Sequence, residues 1–380
     1  MSARIAWLGV PAALLVLTVA LLLWWRPLDS LSEGAPPVEE AVVEAVRLTQ
    51  GNIGIDLRSD GSEPVVIAQV QVDGAYRRFS LSPARPSAWL GGVTIDIPYP
   101  WVEGEAHHLA LITTTGAVFD HTIEVAQLTP ELAGPALEML GAVGLLLGVV
   151  PVAIGLMTWP AMRHASRSVL DFILALTVGL LAFLLVDTVG EGLEAAHETI
   201  GRLRGPVLFW ALLGATAIIL LALGRRGGKA PEGLMLAFFI ALGIGLHNFG
   251  EGLAVGAALA SGSAALATYL VIGFTIHNVT EGIGIAAPLT AEKPSLMKFA
   301  GLALLAGAPA IAGTLLGTQA VSPFWTAVCF ALGAGAILQV IIEVMALLAR
   351  RGGWGRLLAP PFAGGAVAGL AIMYGTALLV

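Results

Sequence analysis

From residue 136 to its end the chain is a succession of long apolar runs, and these decide the solvent in which it folds. A helix needs roughly 20 mostly apolar residues to cross a bilayer. Eight runs meet that length: Ala136–Trp159, Val169–Val189, Pro206–Leu223, Gly233–Ala260, Ala264–Leu289, Phe299–Thr318, Phe324–Ala349 and Pro361–Val380. A ninth, Ile5 to Trp25, stands apart at the N-terminus. Soluble domains carry about a quarter charged residues. Here 12% of 380 residues are charged and 57% are hydrophobic, so lipid is the expected surrounding. The net charge of −7 comes with basic residues spread in small clusters, which excludes nucleic acid as a partner. The single cysteine, Cys329, excludes an internal disulfide framework and a multi-thiolate metal site. In its apolar run it reads as a small buried hydrophobe.

The first run is longer than the apolar part of a signal peptide and ends in Trp24-Trp25-Arg26 rather than a small-residue cleavage site. It reads as an uncleaved anchor. Between it and the other eight lies a polar interval with strand periodicity. Residues 65–72 end in the turn signal Asp73-Gly74, and 92–97, 108–113 and 119–125 follow, the last two separated by Thr115-Gly116. Short strands at regular spacing imply a small sandwich. Lys and Arg mark cytoplasmic loops. They cluster at Arg163 and Arg167, at Arg225, Arg226 and Lys229, at Lys293 and Lys298, and at Arg350, Arg351 and Arg356, each after an odd-numbered run of the eight. That pattern puts residues 30–130 outside. The expected fold is an all-α polytopic membrane protein with an eight-helix core, an N-terminal transmembrane anchor and a small all-β, sandwich-like outer domain. The expected boundaries are 1–29, 30–130 and 131–380. The expected location is a bacterial or archaeal inner membrane, with the β domain on the periplasmic side.

Ionisable side chains inside a bilayer are costly and mark function. The fifth run of the chain contains His247-Asn248-Phe249-Gly250-Glu251-Gly252, and the next contains His277-Asn278-Val279-Thr280-Glu281-Gly282. The same H-N-x-x-E-G thus recurs thirty residues later. Residues four apart share a helix face, so each copy offers an imidazole and a carboxylate from one stripe. At 1.5 Å per residue, His247 lies roughly 22 Å from the inner end of its helix and His277 roughly 18 Å from the outer end of its own, both near mid-membrane. Two such stripes on antiparallel neighbours can converge on a divalent cation. Imidazole and carboxylate suit Zn2+, and less exclusively Fe2+, Mn2+ or Ni2+. Asn248 and Asn278 can add carbonyl oxygens or orient the ligands. Gly250, Gly252, Gly256, Gly273, Gly282 and Gly284 let backbones approach closely and soften the helices. Asp187, Glu191 and Glu343 are further acids of the runs that could extend a pathway. Glu194, His197 and Glu198 read as a solvated rim, and Asp171 as an interfacial residue. His107, His108 and His121 fall on the β interval, where they could capture metal or simply lie on a surface.

At these residues the sequence resembles the ZIP (Zrt/Irt-like protein) family of metal transporters, over about Pro135 to Val380. The paired motifs of that family usually read H-N-x-P-E-G; His247, Asn248, Glu251 and Gly252 match the first, and His277, Asn278, Glu281 and Gly282 the second. Asp187 and Glu191 resemble the family's second core helix, with Asp187 in the place of a histidine, and Gly333-Ala334-Gly335 leading to Glu343 resembles the seventh. Gly250 and Thr280 replace the motif prolines. Ala308 precedes Pro309 where many bacterial members carry a glutamate that bridges a second metal, so one principal ion is expected. The loop from Arg225 to Glu232 is short and lacks a His-rich stretch. The resemblance implies uptake of divalent metal into the cytoplasm. A cation would be drawn to Asp187 and Glu191, lose water at His247, Glu251, His277 and Glu281, and leave past Glu343. Protons compete for such ligands, so flux should fall in acid. The candidate partners are divalent metal ions, the lipid bilayer and a second copy of the chain. Two other classes stand beside this one: a metal-binding membrane sensor, and a membrane metalloenzyme, although His-Glu-x-x-His is absent. The expectation is a transporter and not an enzyme.

Overall fold

The structure is a computed structural model that describes residues 13–21, 24, 39–59, 65–83, 91–130, 133–199, 201–260, 264–319 and 322–378. The first apolar run is described only at 13–21 and 24, where it is helical and exposed; the rest of the expected anchor and the Ala35-Pro36-Pro37 linker lie outside the described residues.

Eight strands follow: β1 (Ala41–Thr49), β2 (Asn52–Ser59), β3 (Ile67–Val72), β4 (Ala75–Arg77), β5 (Ser80–Ser82), β6 (Gly92–Pro98), β7 (His107–Thr113) and β8 (Val118–Ile123). They form two antiparallel sheets in the orders β1-β2-β6-β5 and β4-β3-β7-β8. Period-two alternation turns Ile53, Ile55, Leu57, Val93, Ile95 and Ile97 of one sheet inward. They meet Val70, Val72, Leu109 and Leu111 of the other in one buried cluster, the core of a sandwich. Asp73 and Gly74 both hold positive φ, 53° and 75°, in the tight turn from β3 to β4. The Asp73 carboxylate braces that turn. It accepts from the His108 amide at 2.9 Å and the Tyr99 hydroxyl at 2.8 Å, and lies 2.8 Å from His107 Nδ1.

The remaining chain is helical: α1 (Gly134–Met162), α2 (Arg167–His197), α3 (Gly205–Gly224), α4 (Gly233–Ala260), α5 (Ala264–Ala286), α6 (Leu296–Gly317), α7 (Pro323–Gly352) and α8 (Pro360–Ala377). Ser166 caps α2 by accepting from the Val169 amide, and proline opens α3, α7 and α8, where its missing N–H costs nothing. Among the described residues, seven helices, α1 to α7, are long and apolar enough to cross a membrane. The expected eighth span is the 18-residue α8, which falls short of that measure. It lies along α2, where a Cβ on Gly365 or Gly369 would strike the carbonyls of Phe172 and Leu176. Within α1 the residues Leu145–Val149 widen into a π turn.

The loops sort to the two ends as the charge pattern requires. Trp159 Nε1 donates to Leu289 O at 2.9 Å, the Leu234 amide to Glu292 Oε1 at 3.1 Å, and Arg350 to Pro231 O at 3.4 Å. These bonds gather the far ends of α1, α5 and α7 with the loop between α3 and α4. At the opposite end Gln319 donates to Pro130 O at 3.1 Å, joining the α6–α7 loop to the segment that leaves the sandwich.

Candidate metal site

Both copies of the motif land inside the bundle, on α4 and α5. His247, Asn248, Glu251, His277, Asn278 and Glu281 are all buried, none more than 5% exposed. The motif glycines make this depth possible. A Cβ on Gly252 would collide with Ala310 O of α6, and one on Gly282 with Val152 O of α1. Helix backbones therefore pass directly over the residue that follows each glutamate, the close approach that small residues permit.

Glu251 is the centre of the cluster. Its Oε1 stands 3.0 Å from His247 Nε2, one turn away on α4, and 2.6 Å from His277 Nε2 on α5. The two imidazole rings lie 6.5 Å apart, centroid to centroid. One ligand atom from each of His247, Glu251 and His277 lies within 4.8 Å of the others, and among the described residues no other group of three His, Cys, Asp or Glu side chains meets that closeness. Two ring nitrogens and a carboxylate oxygen are the donors zinc collects at roughly 2.0–2.2 Å, in place of the hydrogen bonds they make with one another.

The asparagines are fixed by backbone. Asn248 Nδ2 donates to Ala306 O of α6 at 3.1 Å, and Asn278 Nδ2 to Leu147 O of α1 at 2.9 Å. Leu147 lies in the π turn of α1, and the widened turn presents its carbonyl to Asn278. Asn278 Nδ2 also reaches Glu251 Oε2 at 3.3 Å. Because each NH2 must face a carbonyl, each Oδ1 is left buried without a partner. Both Glu281 oxygens are buried and unpartnered as well. Buried polar atoms left unpaired cost about 1–3 kcal/mol each. All four here are oxygens, and all belong to the repeated motif.

Thr280 occupies one of the two positions where the resembled family has proline. Its hydroxyl turns back on His277 O at 2.5 Å, the kind of back-bonding that slightly bends a helix. The sequence reading missed Thr188, whose Oγ1 lies 3.4 Å from His247 Nδ1. Only its place next to Asp187 could have pointed to it.

Asp187 and Glu191 do not join the cluster. A cavity of about 190 Å³ is walled by both acids together with Phe274 and His277. Glu343 lies elsewhere, buried on α7 and paired with Arg225, whose Nε is 3.0 Å from Oε1. Its other oxygen and the Oε1 of Gln339 one turn earlier have no partner. On the sandwich, His107 is committed to Asp73 and to the Val102 amide, and His108 to Thr122.

Residues 224–379 match the family model described as ZIP Zinc transporter. The match runs from the last residue of α3 through α8 and includes both motif copies. A search of curated proteins finds no match to the chain.

Proposed function

We propose, from the premise that residues 224–379 are a ZIP zinc transporter region, that this integral membrane chain carries divalent transition-metal ions, zinc foremost, through the buried cluster on α4 and α5. The observation that carries the reading is the shared oxygen of Glu251, held between imidazoles of two neighbouring spans. In this reading His247, Glu251, His277 and Glu281 are ligands of one principal ion. Asn248 and Asn278 offer the carbonyl oxygens that their backbone bonds leave over. The cation enters by Glu191 and Asp187, which line the cavity that reaches His277. It leaves toward Glu343, where Arg225 must first give way.

Direction follows from charge. The Lys and Arg loops gather at the end away from the sandwich, which favours a cytoplasmic placement for them and an outer, periplasmic one for residues 30–130. Transport is then inward, through an eight-helix unit spanning 131–380 and tethered by an anchor over 1–29. Metal-resolved uptake into liposomes reconstituted with the full chain tests the reading. Zinc accumulates with the parent protein; transport by His247→Ala and Glu281→Ala variants at the parent rate removes the proposed site.

A further inference from the structure

The sandwich does not simply stand beside the bundle. A cavity of about 690 Å³ opens between them, roofed by β1 and β8 and floored by the adjoining ends of α2, α4, α6 and α7. Among the described residues that line it, only three are ionisable: His121 and Glu124 from the end of the sandwich, and Glu191 from α2. All three are metal donors, and no Lys or Arg faces the space. The remaining wall is largely apolar, including Leu48, Leu253 and Phe330. Apolar walls focus the field of the two carboxylates into the water between them.

His121 is set apart from the other sandwich histidines. His107 has both ring nitrogens engaged, and His108 has its Nδ1 engaged. The His121 ring, half-buried beside Phe119 and Ile123 on the inward face of β8, makes no hydrogen bond among the described residues. Glu191 belongs to two spaces at once: it lines this chamber and also the narrower cavity that ends at His277. The chamber and the narrower cavity thus share one carboxylate.

We infer that this chamber is a second, extramembrane binding site for a hydrated divalent cation, which His121 and Glu124 of the sandwich and Glu191 of α2, whose donor atoms do not all close to within 4.8 Å of one another, hold through its water shell. It holds the ion loosely and passes it to Glu191 and onward. The inference rests on the transport reading for its purpose, but not for its chemistry. The sandwich is then a working part of the entry route.

The test uses the full chain in detergent with zinc alone as the probe. In a Glu251→Gln/His277→Ala background, which disables the buried cluster, calorimetric titration should still find one weaker zinc site. Adding His121→Ala or Glu191→Gln weakens that site at least about tenfold, and His108→Ala leaves it unchanged. His121→Gln, which preserves size, gives the same loss with an unaltered far-ultraviolet circular dichroism spectrum. In liposomes, His121→Ala alone raises the half-saturating zinc concentration about fivefold while maximal flux stands. No residual zinc site in the disabled background, or one indifferent to His121, overturns the inference and leaves the transport reading intact. A His121-dependent site in a protein that moves no metal strikes the transport reading alone.

Discussion

Glu251 and His277 meet at 2.6 Å across two helices, closer than the 3.0 Å between Glu251 and His247 on the same helix. The junction between spans is therefore the tighter contact of the cluster. Glu251→Gln removes the charge that both imidazoles address. Because even an outer partner of a metal ligand is worth about 10–100-fold in affinity, loss of this anionic ligand should lower zinc uptake about 100-fold or more. Initial-rate uptake in liposomes measures it, and a loss under threefold would contradict the shared-oxygen geometry.

Gly252 and Gly214 are a matched pair of helix glycines with opposite expectations. A methyl group on Gly252 drives into Ala310 O of α6, whereas Gly214 on α3 has nothing within 4 Å. Gly252→Ala should destabilise by about 1–3 kcal/mol, as overpacking does. Gly214→Ala should be neutral or gain up to about 1 kcal/mol from helix propensity. Thermal unfolding in detergent separates the two.

Arg225 and Glu343 make the ion pair at the end of the bundle away from the sandwich, with Glu343 wholly buried and Arg225 43% exposed. Arg225→Gln leaves a buried carboxylate without its partner. Breaking a fully buried pair costs about 3–5 kcal/mol, and the exposure of Arg225 reduces this to about 1–3 kcal/mol. The double variant Arg225→Gln/Glu343→Gln should recover most of the loss in the same melting experiment. Additive losses would show that the two side chains do not couple.

Asp73 gives the sandwich an acid-sensitive brace. Burial alone would raise its carboxyl, but bonds from the His108 amide, the His107 ring and the Tyr99 hydroxyl outweigh burial and hold it below the ordinary value. A carboxyl whose folded pKa is depressed stabilises the fold fully above the unfolded value of about 3.9. That contribution is lost as pH falls through the lower, folded value. Protection factors of the β3 and β7 amides in the full chain, which divide out the acid slowing of intrinsic exchange, should therefore fall below about pH 4. In Asp73→Asn the pH dependence of protection should flatten, and protection at neutral pH should be lower.

The paired motif was legible because lipid makes a buried His and Glu conspicuous, and because a four-residue spacing has one meaning on a helix. That spacing could not say which glutamate would be shared. Glu251 bridges both histidines while Glu281 stands without a partner, a difference that only the packing of α4 against α5 reveals. Strands β3, β6, β7 and β8 were visible through alternation and turn residues. β1 and β2 were not, although Gln50-Gly51 turns the chain between them, because Glu44 and Arg47 interrupt the apolar pattern of β1. Those two side chains pair across the sheet with Arg58 and Asp56, which only the register reveals. Arg225 and Glu343 lie too far apart in sequence for local pattern to connect them. His121 could not be distinguished from His107 and His108 until the sandwich was seen facing the bundle.

Glu191 borders both the wide space under the sandwich and the narrower cavity that reaches His277. Taking an ion out of water in one step is expensive. On the transport reading, an ion passing from the wide space to the narrow one and then to Glu251 would shed its coat in stages, so that no single step bears the whole cost of stripping it bare.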